Sequence, residues 1–291
     1  MNNYHTSVLL HETIEELHIE TGKLYIDGTI GGGGHTYEIL KNGGKVLGID
    51  VDDEALEFAR KRLEPEFNNV ILVKGNFRDI NKIAKNNGFD KVSGILLDLG
   101  ISSRHVDSAE RGFSFIKDGP LDMRMNKDLE VTAGDLVNGL RKNELIELFT
   151  KLGEEGFARM IAGAIVNARK ESKIETTTQL AEIIKRAVPF AKKGIHPATK
   201  AFQALRIAVN DELNVITETL PKAVSLLAPT GRLAVITFHS LEDRIVKQQF
   251  IKFEEKGLGK IVTKKPIIPT EEEIEANSRA RSSKLRVFER V

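Results

Sequence analysis

Asp27, Asp50, Asp98 and the pair His239-Ser240 each close a short apolar run, and four consecutive glycines, Gly31 to Gly34, follow the first of them. Glycines let backbone N–H groups approach a ligand closely, and a carboxylate at the tip of the next strand can grip both hydroxyls of a ribose. Asp50 lies 23 residues after Asp27, close to the separation such a pair of strands requires. The chemistry these residues suit is binding of a ligand that carries a nucleoside.

The turn narrows the ligand. A pyrophosphate loop reads G-x-G-x-x-G, and here Thr36 stands where the third glycine belongs. A G-x-x-x-x-G-K-[ST] loop is absent as well. An acidic residue such as Asp27 suits a cationic amine better than two phosphates. S-adenosylmethionine meets these conditions, having a ribose, an ammonium group and no phosphate; a nicotinamide dinucleotide is a distant alternative. A glycine run that only makes a tight turn is the bland reading, and Asp50 at its separation weighs against it. Phe77, in Gly75-Asn76-Phe77-Arg78-Asp79, either stacks on an adenine or packs as an ordinary core ring. Asp98 falls near the place of a sulfonium or its acceptor. One strand-end Asp is often a helix cap; a set of polar strand ends in register points to a site.

The elements that position these residues alternate over the first hundred positions. Leu24–Asp27, Val46–Asp50, Val70–Val73 and Ile95–Leu99 read as buried parallel strands, with helices predicted over Asp53–Leu63 and Ile80–Asn86. From about 104 to 212 no strand pattern occurs. A loop over Ala109–Pro120 precedes helical segments near 132–138, 143–151, 155–170, 176–188 and 198–213. Strands return at Arg232–Phe238, after a Pro229-Thr230-Gly231 turn, and at Lys260–Thr263 and Leu285–Glu289. The expected fold is α/β: a doubly wound Rossmann-like sheet, residues 1–103 and 213–291, interrupted by an all-helical insert, residues 104–212.

Lys and Arg number 43 against 42 Asp and Glu, so net charge alone names no partner. The distribution says more: residues 151–210 carry about +6 and residues 244–291 about +5. There is no cysteine, which excludes disulfides and thiolate metal sites. No apolar run approaches ~18 residues and the N-terminus lacks a signal pattern, so a cytoplasmic protein with no membrane partner is expected.

After the fourth strand comes Asp98-Leu99-Gly100-Ile101, where enzymes methylating a base amine often carry [DNS]-P-P-[YFW]. The acid is kept; the prolines and ring are not. An amine acceptor held by a different arrangement fits that pattern. Taken with it, several ordered blocks resemble one family closely: His5-Thr6-Ser7-Val8-Leu9-Leu10, Asp27-Gly28-Thr29 with Gly33-Gly34-His35, Glu110-Arg111-Gly112-Phe113-Ser114, Gly119-Pro120-Leu121-Asp122-Met123-Arg124-Met125, His196-Pro197-Ala198-Thr199, Phe202-Gln203-Ala204-Leu205-Arg206-Ile207, Phe238-His239-Ser240-Leu241-Glu242-Asp243-Arg244 and Arg279-Ala280-Arg281-Ser282-Ser283-Lys284-Leu285-Arg286. By these the chain resembles, over nearly its whole length, the MraW-type methyltransferases that modify a cytidine N4 in small-subunit ribosomal RNA.

The resemblance implies an S-adenosylmethionine site built from Gly33, Gly34, His35, Asp50, Phe77 and Asp98, with Asp50 on the ribose, Phe77 near the adenine and Asp98 towards the methionine end. It implies methylation of 16S RNA near the decoding region. The family commonly has Gln seven residues after this Asp; here it is His105, which offers one hydrogen bond rather than the paired groups of an amide. Arg104 stands where the family often has proline.

A cytosine N4 is a poor nucleophile, so it must be aligned within ~3–3.5 Å of the methyl while its N–H is accepted. Asp98 is the first candidate for that role and His239 the second; no metal is expected. His196 reads as a cap or substrate contact at a helix start with Pro197 at its first position. Glu242, Asp243 and Arg244 are expected to cap and pair on the helix that follows His239. The basic insert and C-terminal segment are expected to grip RNA backbone, with Arg279, Arg281, Lys284 and Arg286 as phosphate contacts and the small ribosomal subunit as partner. An insert helix can also pack on a twin, which leaves a homodimer open. Two other functions stand beside this one: a DNA amino-methyltransferase, and a non-catalytic ribosome-assembly factor that only binds the cofactor.

Overall fold

Tyr25 and Ile26 are neighbours in sequence and bury into opposite cores, as a strand covered on both faces requires. In the computed structural model, which describes residues 7–101, 106–188 and 196–291, that strand lies in the middle of a seven-stranded sheet. The strands are β1 (Leu24–Asp27), β2 (Lys45–Asp50), β3 (Val70–Lys74), β4 (Val92–Asp98), β5 (Leu227–Thr237), β6 (Gly259–Ile261) and β7 (Lys284–Arg290). Their order is β3-β2-β1-β4-β5-β7-β6, parallel through β5, with β7 antiparallel to both its neighbours. The chain divides into two units, Met1–Ser102 with Leu213–Val291, and Ser103–Glu212.

In the first unit, α1 (Leu10–Leu17), α2 (Gly34–Lys41) and α3 (Asp53–Leu63) cover one face of the sheet, packing with Tyr25, Val46, Leu96, Ile236 and Val287. The other face, with Ile26, Leu47, Ile49, Leu97 and Val235, is covered by α4 (Ile80–Asn86) and by two helices from the C-terminal part. Alternate strand residues therefore supply two cores, and each fully buried Leu or Ile contributes about 1.5–3 kcal/mol. The second unit is helical: α5 (Ala133–Gly139), α6 (Lys142–Gly153), α7 (Ala158–Glu171), α8 (Thr177–Ala187) and α9 (Thr199–Asn210). Its starts are set by side-chain caps, Thr132 with Asp135 and Thr176 with Gln179 forming capping boxes. The first unit then continues with α10 (Glu212–Leu226), α11 (Ser240–Glu255) and α12 (Glu271–Ala276).

Three readings of the sequence need correction. α10 was not expected, because Pro221 and a run of β-branched residues mask its period. Thr217 and Thr219 instead bond back to the carbonyls of Leu213 and Val215 at 2.8 and 2.7 Å, inside a continuous helix. The Pro229-Thr230-Gly231 turn interrupts β5 rather than preceding it: Leu227 already pairs with Val92, and pairing resumes at Arg232 with Gly94. Thr230 takes the left-handed conformation that this bulge demands (φ 63°). Finally, α9 starts at Thr199, two residues later than a proline at its first position implies; His196 Nδ1 accepts from Ala198 N at 3.2 Å.

Candidate active site at the carboxyl edge of the sheet

The strand order reverses at β1, whose two neighbours are β2 and β4, and ligands bind at such a switch point. There β1 ends on Asp27, β2 on Asp50 and β4 on Asp98, and β5 leads directly into His239. The register makes them neighbours: Asp27 stands beside Gly48 and Leu96, and Asp98 beside Ile236.

The turn after β1 is tied to all of these ends. Ile30 N donates to Ile49 O, Gly31 N to Asp50 Oδ2 at 2.9 Å, and Asp98 N to Thr29 Oγ1 at 2.7 Å. Asp27 is 1% exposed and accepts from Thr29 N at 3.1 Å and Thr36 Oγ1 at 2.7 Å. The glycines divide by task. Gly33 begins α2 at φ 69°, a conformation glycine adopts without strain. A Cβ on Gly34 would meet Ser7 Oγ at 2.0 Å, so its bareness serves packing. A Cβ on Gly31 would meet nothing nearer than Thr29 O at 3.8 Å, so it is Gly31 that has open space beside it.

Asp50 uses one oxygen on Gly31 N and the other on Asp52 N at 2.9 Å. A carboxylate has about four acceptor sites, so one such group can hold backbone N–H groups and ribose hydroxyls together. Phe77 opens a one-turn helix after β3, part-buried against the core, with Asn76 capping the turn through Arg78 N at 2.8 Å. His35 is buried within α2. Its Nε2 donates to Val8 O at 3.1 Å, and its Nδ1 lies 3.8 Å from Asp98 Oδ2. His105 lies outside the described residues.

Asp98 is the most stressed group here. Its Oδ1 is buried with no hydrogen-bond partner among the described residues. Burial, and after it the charges of Asp27 and Glu242, push its carboxyl well above the ordinary value. Burial likewise pushes Asp27 up to about 6, with the Thr36 and Thr29 hydrogen bonds pulling against it and the Asp50 charge adding to the rise. A cation brought to this cluster relieves both the desolvation and the repulsion. The donor set therefore fits a ligand with a sulfonium and an ammonium group.

His239 is the N-cap of α11, its Nδ1 accepting from Glu242 N at 3.4 Å, which leaves the ring proton of the neutral imidazole on Nε2. That Nε2 lies 3.2 Å from Glu242 Oε1 without making a hydrogen bond. Glu242 is fully buried, and its Oε2 accepts from Phe238 N at 2.7 Å and His239 N at 3.2 Å. The sequence predicts that Glu242 caps and pairs on this helix; it also accepts the two backbone N–H groups that follow β5 and raises Asp98. Thr29 and Thr36 join the site through Asp98 N and Asp27 Oδ2, contacts that the Asp27-Gly28-Thr29 block alone does not show.

Two of the four expected phosphate contacts are engaged within the fold. Arg286 is 7% exposed, its Nε 2.6 Å from Asp243 Oδ1, and Lys284 Nζ lies 3.2 Å from Asp243 Oδ2. The antiparallel pairing of β7 with β5 turns Arg286 towards α11, which a linear reading of a basic run does not show. Arg279 and Arg281 are exposed.

A sheet of this order, with a glycine turn after β1 and carboxylates at three strand tips, defines a Rossmann-like α/β protein with a nucleoside-binding edge. The model of the MraW methylase family matches residues 2–291. "Ribosomal RNA small subunit methyltransferase H" of Carboxydothermus hydrogenoformans is 49% identical, covering 99% of this chain and 98% of that protein. The protein of the same name from Brevibacillus brevis is 46% identical over the same shares. Among solved structures, an rRNA methylase from Streptococcus thermophilus is 12% identical with a TM-score of 0.46, over 97% of this chain and 93% of that one. The chain belongs to the MraW methylase family. It is a methyltransferase whose methyl donor is S-adenosylmethionine. Among the described residues, no helix is long and apolar enough to cross a membrane.

Proposed function

We propose that this methyltransferase acts on the exocyclic N4 of a cytidine in 16S ribosomal RNA, near the decoding region, with the assembled small subunit in the cytoplasm as its substrate. The names of its relatives support the substrate class. The structural observation that carries the reading is the buried Oδ1 of Asp98 at the tip of β4, which has no hydrogen-bond partner among the described residues.

When bound, S-adenosylmethionine supplies an electrophilic methyl group on a cationic sulfonium. Asp50 would hold the ribose hydroxyls, Phe77 the adenine, and the turn at Gly31 to Gly34, with His35 behind it, the body of the ligand. Asp98 does its work ionised. Alone, its carboxyl is pushed towards the protonated form by burial and then by Asp27 and Glu242, and a neighbouring positive charge opposes that push. The carboxylate then accepts an N–H of the incoming amine and directs the N4 lone pair along the reaction axis, a contribution of proximity and orientation. His239, with its proton on Nε2, contacts the base as a donor. We assign the helical unit, sequence range 104–212, to RNA recognition.

Transfer from labelled donor to naked 16S RNA, assembly intermediates, unmodified small subunits and cytosine-containing DNA, each digested to nucleosides, tests this reading. Label in N4-methylcytidine from subunits is the expected result. Donor binding without label in any nucleoside supports an assembly factor, and label in DNA supports a DNA amino-methyltransferase. Sedimentation of the same preparation decides between monomer and dimer.

A further inference from the structure

A cavity of about 310 Å³ lies on the first unit, away from the strand tips, between α11 and the β6–β7 edge of the sheet. One stripe of α11 forms its wall, Lys247, Phe250, Ile251 and Glu254, at the i, i+3, i+4, i+7 spacing of a single helix face. Opposite stand Thr263, Lys264 and Arg286.

The charges around it do not cancel. Arg286 and Lys284 share one carboxylate, Asp243. Glu254 is committed to the fold, its Oε1 accepting from Ile261 N at 2.8 Å. Lys247 and Lys264 have no ion pair among the described residues. Three cations, Lys247, Lys264 and Arg286, therefore line the cavity with one carboxylate, Glu254, which is already in use. Arg286 is held at Nε and Nη2, so its Nη1 remains to donate. Thr263 Oγ1 accepts from Val287 N at 2.9 Å, which leaves its own proton to donate. Beside these donors Ile251 is 38% exposed, an apolar surface on which a ribose or base can lie.

We propose that this cavity binds a phosphodiester of single-stranded RNA, with Lys247, Lys264 and Arg286 on the phosphate and Ile251 under the adjoining nucleoside. Rigid guanidinium and mobile ammonium donors over an apolar surface are the combination that backbone binding uses. The sheet gives the reach. Asp98 pairs with Ile236, and Arg286 pairs with Val235 one residue back, two strands from β4. At strand spacing, that places Arg286 roughly 10 Å across the sheet from Asp98. A segment flanking the target cytidine therefore meets this cavity while the base occupies the strand tips. The proposal rests on the RNA reading above.

The test is steady-state methylation of unmodified small subunits, and equilibrium binding of naked 16S RNA, by wild-type protein and by the double variant Lys247→Gln/Lys264→Gln. Donor affinity and unfolding midpoint are measured alongside. The expected result is a KM for subunits and a Kd for naked 16S RNA each about tenfold higher, and a salt dependence of log K shallower by about 1.4, the share of two phosphate contacts on a single strand. kcat, donor affinity and midpoint stay unchanged, and Lys247→Arg/Lys264→Arg restores KM. An unchanged KM and slope in the Gln variant, beside active wild type, overturns the cavity alone. A raised KM confined to subunits, with naked RNA unaffected, also overturns it and assigns the cavity to a ribosomal protein. Wild type that leaves small subunits unmethylated overturns both this proposal and the reading it rests on.

Discussion

His35 Nδ1 stands 3.8 Å from Asp98 Oδ2, too far for a hydrogen bond, while the His35 Nε2 is fixed on the carbonyl of Val8. The imidazole is thus anchored behind the site and turns its other nitrogen towards the carboxyl proposed to orient the amine. Asp98→Asn removes a buried ionisable group without removing volume. The apo protein should be at least as stable as wild type near pH 7, with methyl transfer down by a factor of about 100 or more, the range for a group that positions a nucleophile. Urea midpoints and single-turnover rates check the two halves separately.

The carboxylate cluster gives the apo protein a distinctive pH dependence. Asp27 is raised to about 6, so the folded state holds its proton more tightly than the unfolded chain. Stability is therefore fully present below about pH 4 and declines as pH rises through 6, by about 3 kcal/mol at most. Asp27→Asn should abolish most of that decline in urea titrations at pH 4.5 and 7. A cationic ligand favours the ionised carboxyls, so donor affinity should weaken about tenfold between pH 7 and pH 5, with proton release on binding in calorimetry. Affinity that rises as pH falls would count against the cation-binding role.

His239 has two separable tasks. His239→Ala loses the N-cap of α11 and should cost about 1 kcal/mol. His239→Asn keeps a good cap, so its unfolding midpoint should match wild type while kcat falls tenfold or more. If the Asn variant turns over normally, the imidazole serves only the helix.

Glu242 accepts two backbone N–H groups at the end of β5 from a fully buried position. Glu242→Ala strands both donors and should destabilise by about 3 kcal/mol or more, whereas Glu242→Gln retains an acceptor and should recover most of it. Denaturant titration of the pair distinguishes this from a purely electrostatic effect.

Much of this was legible in the chain because the signals are local. The ends of β1, β2 and β4 announce themselves as apolar runs stopped by Asp27, Asp50 and Asp98, and α3 and α4 follow directly from apolar spacing. What stayed hidden depends on contacts distant in sequence. Whether Gly31 or Gly34 has open space beside it turns on where Ser7 packs. Arg286 looked like one member of a basic run until antiparallel pairing set it against Asp243. Glu242 follows His239 at capping-box spacing, yet histidine is outside the usual cap set, so the sequence predicts the Glu242 cap without its histidine partner. α10 was lost to its own Pro221.

The most direct test of the account is single-turnover transfer from labelled S-adenosylmethionine to unmodified small subunits, comparing wild type with Asp98→Asn at matched donor occupancy. The account predicts label in N4-methylcytidine with wild type, and a rate lower by a factor of about 100 or more in the variant despite its intact fold. Wild-type rates in Asp98→Asn, or label in a nucleoside other than N4-methylcytidine, would contradict it.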